Sequence, residues 1–121
     1  MMHPVRLQLS RRKGVRLQAT SKATNGLPAV NCARPGRYGN VWRVGEDHSE
    51  FMADAEQATA EQCVSLFRTF AEAFRQADPN GFEEYVAPLR GKDLACWCAI
   101  GAPCHADVLL ELANTPICEA V

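Results

Sequence analysis

Residues 94–114 read LACWCAIGAPCHADVLLELAN and gather three of the six cysteines and one of the three histidines of the chain. Thiolates and imidazole nitrogens together suit zinc, most often in a tetrahedral arrangement. The spacing is Cys-x-Cys, five residues, then Cys-His, and it lacks the paired CxxC clusters of a zinc ribbon. Cys96, Cys98 and Cys104 with His105, or with a remote ligand such as Cys32 or His48, supply the four ligands that one ion needs. An iron–sulfur centre fits less well. A second chemistry is a thiol enzyme in which Cys104 is the nucleophile, His105 or Asp107 handles a proton, and helix amides hold an oxyanion. The plain alternative is packing, with the cysteines as small hydrophobes, Trp97 in the core, and His105 and Asp107 as helix caps.

Each chemistry needs elements that bring these side chains together. Leu94 to Cys98 reads as an apolar strand, in which alternate side chains share a face, so Cys96 and Cys98 converge and Trp97 points the other way. After the Ala99–Pro103 loop, a helix is predicted to start near Pro103 or Cys104 and to run through Leu112, with Asn114 near its end. Its unpaired amides and dipole would favour a thiolate, which makes Cys104 the expected low-pKa thiol. Asp107, three residues on, would share the face of Cys104. His105, rotated by about one hundred degrees, would meet a different wall of the same pocket.

The remaining elements follow from periodicity and punctuation. Val5, Leu7 and Leu9 alternate with polar residues as in a half-buried strand. A turn-prone stretch then ends at Asn25-Gly26, and Ala29 to Cys32 and Val41 to Val44 are two further strand candidates. Residues 45–58 are acidic and weakly patterned. From Thr59, with Gln62 at capping-box spacing, Val64, Phe67, Ala71 and Phe74 line one helical stripe that Cys63, Leu66 and Phe70 widen. Asp78-Pro79 stops that helix. Asn80 and Glu83 repeat the capping pattern for a shorter one, which Pro88 limits. The expected fold is a single α/β domain over residues 1–114, a small mixed sheet flanked by about three helices, with 115–121 as a tail.

A chain of 121 residues suits one domain, and no apolar run is long enough for a bilayer. The basic N-terminus does not read as a secretory signal, so the expected location is cytoplasmic, with thiols or metal ligands favoured over disulfides. The net charge of −1 conceals a division. Residues 1–43 hold nine cations and no acid, whereas residues 44–121 hold four cations and all fourteen acids. The basic half could form an anion-binding surface, or the two halves could pair with each other. Arg11-Arg12-Lys13 also raises nucleic acid as a partner. No P-loop, dinucleotide glycine fingerprint or serine-triad motif is present.

Arg34-Pro35 with Tyr38-Gly39-Asn40, then Leu89-Arg90-Gly91-Lys92-Asp93-Leu94-Ala95-Cys96-Trp97-Cys98 and Pro103-Cys104-His105-Ala106-Asp107-Val108-Leu109, resembles the DUF4326 family of small bacterial and phage proteins. The likeness runs over roughly residues 5–114; Val41 stands where the family is expected to carry proline. The family name supplies no activity. The resemblance does imply that the arginine loop and the cysteine block border one pocket. There Arg34 and Arg37 would neutralise phosphate, Asn40 would hydrogen-bond a base or sugar, and Tyr38 or Trp42 would stack on a ring, with Lys92 joining the ligand-binding set. The expectation is a binding protein for a phosphorylated or nucleotide-like ligand, with chemistry open. The alternative is a noncatalytic, zinc-stabilised interaction module.

Overall fold

The computed structural model describes residues 3–115. In chain order these form β1 (Arg6–Gln8), α1 (Leu17–Asn25), β2 (Ala29–Asn31), α2 (Ala60–Ala77), α3 (Pro79–Val86), a 3-10 turn (Ala87–Leu89), β3 (Asp93–Cys96) and α4 (His105–Asn114). The strands lie in the order β1-β3-β2 and both pairings are parallel, with Leu7 opposite Ala95 and Val30 opposite Leu94. The expected α/β domain is therefore present. Among the described residues its sheet is parallel rather than mixed, and α1 is an additional helix.

β3 is central and buried at every position, as a strand covered on both faces must be. Leu94, Leu89, Val86, Val108 and Leu109 are almost fully enclosed, with Phe67 and Phe82 packed among them. Each such aliphatic side chain contributes about 1.5–3 kcal/mol on leaving water. The tail expected at 115–121 falls, beyond Thr115, outside the described residues.

The capping box forms as read. The Thr59 hydroxyl accepts from Gln62 N–H at 3.1 Å, and the Gln62 side chain accepts from Thr59 N–H at 2.9 Å. The cap of α3 lies two residues earlier than expected. Asp78, not Asn80, holds the Gly81 N–H at 3.0 Å, because Pro79 has no N–H to satisfy and its fixed φ suits the first helical position.

Two elements differ from expectation. The polar stretch before Gly26 is helical, as α1, because polar contacts anchor it. Asp93 Oδ1 accepts from Asn25 Nδ2 at 2.8 Å and from Val5 N–H at 2.9 Å, while Ser21 Oγ lies 2.6 Å from Oδ2. One buried carboxylate thereby joins α1, β1 and β3. Gln18 adds to this by completing the edge of β2, bonding both N–H and C=O of Ala29.

Val41 to Val44 is a loop, not a strand. Asn40 Oδ1 takes the Trp42 N–H at 3.0 Å, His48 Nε2 lies 3.2 Å from Arg43 N, and the backbone returns through Gly45 N–H to Ala58 C=O at 2.7 Å. Local partners consume the groups a sheet would need. Among the described residues no helix is long and apolar enough to cross a membrane.

Candidate metal centre

Cys96 ends β3, and the chain turns through residues 97–103 before Cys104 caps α4. Arg6 fixes that turn. Its side chain is 5% exposed, and its guanidinium donates to the carbonyls of Cys98, at 2.9 Å, and Ala99 and pairs with Asp107 at 3.2 Å. The turn returns the sulfurs to one place. Cys96 Sγ and Cys98 Sγ lie 3.9 Å apart, and the ligand atoms of Cys96, Cys104 and His105 all lie within 4.8 Å of one another. Zinc bonds of 2.0–2.3 Å hold neighbouring ligands about 3.5 Å apart, so a shift of about 1 Å closes this group on an ion. The Cys96/Cys104/His105 group could hold a metal ion, and the Cys98 sulfur stands beside it.

Adjacent Cys104 and His105 face one point because Cys104 is not helical. Its φ of −150° and ψ of 137° are extended, so the hundred-degree rotation expected between helical neighbours does not apply. Cys104 Sγ consequently lies 4.0 Å from His105 Nδ1. On the far side of the ring, Nε2 is 2.8 Å from the Cys32 carbonyl. A carbonyl only accepts, so Nε2 donates to it and Nδ1 is the ring nitrogen turned toward the sulfurs. This outer contact is the kind that sets the tautomer of a metal-binding histidine. The ring is buried and meets Phe67 edge-on at 5.1 Å.

The thiols divide unequally. A hydrogen bond from Cys104 outweighs the cost of burial and, with the Cys98 amide and His105 in support, brings the Cys96 thiol down to about 4. The same contact, together with burial, pushes Cys104 up. Burial and the neighbouring Cys96 also raise Cys98. Cys104, expected as the low-pKa thiol from its helix N-terminus, has the Ala106 amide to lower it but is pushed up by Cys96 and by burial. Burial pushes Cys32 up to about 12, and its thiol bonds the Val30 carbonyl at 3.8 Å. His48 is likewise engaged, with Arg43 backbone. Neither joins the cluster, although both are remote candidates by residue type. All five described cysteines are free thiols.

The cluster forms the floor of an open cleft of about 380 Å³. Arg11, Arg34, Asn40, Trp42 and Trp97 line its walls, and no carboxylate does among the described residues. Arg34 is exposed and donates to the Asn40 carbonyl at 2.8 Å. The loop between them needs a glycine, since a Cβ on Gly39 would lie 2.8 Å from Arg34 Cα. Arg11 lies over the Trp97 ring at 4.7 Å, a cation–π contact. Neither the basic run at Arg11 nor the strand alternation around Trp97 reveals in sequence that β1 leads to the cleft.

The structure thus brings Arg34 and Asn40 to Cys96, Cys98, Cys104 and His105, as the motif pairing implied. Asn40 also has fixed duties, donating to the Cys63 carbonyl at 3.2 Å. Four other candidates lie elsewhere. Asp107 faces Arg6 on the outer side of the turn. Lys92 precedes β3, at the opposite end of the strand from Cys96. Tyr38 is buried with its hydroxyl donating to the Tyr85 carbonyl at 2.9 Å, and Arg37 stacks over Tyr38 and Tyr85 outside the cleft. Among the described residues, Arg6 is the one cation of residues 1–43 that has a carboxylate partner. Pairing of the two charged halves is therefore not what neutralises the basic half.

The fold and cleft define a small parallel α/β domain with a Cys/His centre. Over residues 15–115 the chain matches the family model described as a domain of unknown function (DUF4326), and it belongs to that family. The match begins after β1, ten residues later than the likeness read from the sequence. No curated protein and no solved structure matches the chain.

Proposed function

We propose that this domain binds a small phosphorylated or nucleotide-like ligand in the Arg11–Arg34 cleft, above a zinc ion held by Cys96, Cys98, Cys104 and His105. The observation that carries the reading is the convergence of two sulfurs and His105 Nδ1 within 4.8 Å, at the floor of a cleft with arginines on its walls. Thiolate and imidazole donors select zinc over harder ions. Arg11 and Arg34 supply the charge for phosphate, and the planar guanidinium suits its paired oxygens. A zinc ion on this floor would add a fixed positive charge and tie β3 to α4.

Cobalt(II) substitution tests the metal part. Under reducing conditions the wild-type chain should develop the sulfur-to-metal and tetrahedral absorption of a thiolate site, and Cys104→Ser should lose it. Uridine monophosphate or pyrophosphate, added to the zinc-loaded chain, should alter Trp97 fluorescence, and Arg34→Ala should weaken that response. A featureless cobalt spectrum would overturn the metal, and a silent titration with both anions would overturn the ligand.

A further inference from the structure

We propose that the cleft accepts a single-stranded nucleic acid, with one base stacked at Trp97 and the flanking phosphates running along Arg11, Arg12 and Lys13. This rests on the anion-binding reading above and names the ligand as a polymer. Trp97 lies between two candidate ligands, yet 45% of its surface is exposed. An indole left open beside a guanidinium offers a base both a flat apolar face and a cation. Trp42, partly buried, also lines the cleft.

Charge extends beyond the cleft. Arg12 and Lys13 follow Arg11 directly, are exposed, and occupy the turn that leaves β1. Ser10 Oγ accepts the Arg12 N–H at 3.1 Å and Val15 N–H bonds the Arg12 carbonyl at 3.1 Å, so the turn is held in shape. None of the three cations has a carboxylate partner among the described residues. A free nucleotide would use Arg11 and Arg34, whereas a strand would also use Arg12 and Lys13. The run of cations leading out of an aromatic-walled cleft offers successive phosphates of a strand successive charges. Duplex is disfavoured, because its bases are already stacked and cannot reach Trp97 without extrusion.

The test is fluorescence anisotropy of the full zinc-loaded chain with labelled twelve-nucleotide U and T oligonucleotides, the two arms separating RNA from DNA. Four phosphate contacts on a single strand give a log–log salt slope of about −3, a loss of about 50-fold between 50 and 200 mM salt. Trp97→Ala should weaken binding at least about fivefold and Trp97→Phe should restore much of it, as base stacking requires. Arg12→Ala with Lys13→Ala should flatten the slope by about 1.4. Unchanged binding by Trp97→Ala at wild-type metal content would overturn the proposal, as would preference for duplex. If uridine monophosphate binds as tightly as either oligonucleotide, the ligand is a free nucleotide: this inference fails and the small-ligand reading stands. If neither binds, both fail.

Discussion

Replacing His105 by phenylalanine separates its two contacts from its shape. Phe fills nearly the same volume and keeps an edge toward Phe67, 5.1 Å away. It removes the Nε2 donor from the Cys32 carbonyl, 2.8 Å distant, and Nδ1 from the sulfurs. Leaving the buried carbonyl unpaired costs about 1–2 kcal/mol. The metal contribution is larger. At free zinc a thousand times its Kd, binding stabilises the wild-type fold by about 4 kcal/mol. If loss of one ligand weakens zinc about 100-fold, His105→Phe retains about 1.4 kcal/mol of this. The stability gap between wild type and variant should therefore be about 1–2 kcal/mol with chelator and about 4–5 kcal/mol with zinc. Urea denaturation of both proteins under reducing conditions, with and without zinc, reads the two gaps. Equal gaps in the two conditions would refute the role of Nδ1, whatever the size of the common value.

Other expectations rest on separate contacts. Arg6→Ala should lower stability by about 2 kcal/mol, since two carbonyls of the cysteine turn lose a charged donor. It should also weaken zinc about tenfold or more by loosening Cys98, whereas Asp107→Ala, with its half-exposed carboxylate, should cost under about 1 kcal/mol; dialysis against zinc and urea denaturation measure both. Cys63→Ser should keep the metal that Cys104→Ser loses, because Cys63 packs with Ala55 and Ala58 instead of joining the cluster; elemental analysis decides. Arg90 beside Glu83 and Arg68 beside Glu111 hold these carboxyls below their ordinary value of 4.5. Their depressed folded values mean that the pairs stabilise the fold above pH 4.5 and that this contribution disappears as pH falls through the folded values. Glu83→Gln with Glu111→Gln should reduce the acid-limb slope of stability against pH; an unchanged slope would show the pairs to be inert.

How much of this was legible depended on whether the signal was local. The alternation of Val5, Leu7 and Leu9, the Thr59–Gln62 box and the apolar run into Cys96 each carry their own explanation, and the corresponding elements are present. α1 was hidden because Leu17–Asn25 has little apolar periodicity; Ser21 and Asn25 are buried against Asp93, some 70 residues away in sequence. Val41 to Val44 misled for the opposite reason: its valines and tryptophan suit a strand, but local partners take its backbone groups first. The cysteine cluster was readable from residue types and from one turn. The role of each member was not. Asp107 seemed to share a face with Cys104 only if Cys104 were helical, and the orientation of His105 depends on a carbonyl from β2's end. Arg11 entered the cleft through sheet topology, which charge counting does not reveal.

The central claim is that Cys96, Cys104 and His105, with Cys98, hold an ion. Native mass spectrometry of the chain, purified reduced and without chelator, compared with the same sample after denaturation, tests it most directly. The account predicts one metal ion per chain in the native spectrum, released on denaturation and missing from Cys104→Ser. A native mass equal to that of the bare polypeptide, unchanged after zinc is supplied, would contradict it.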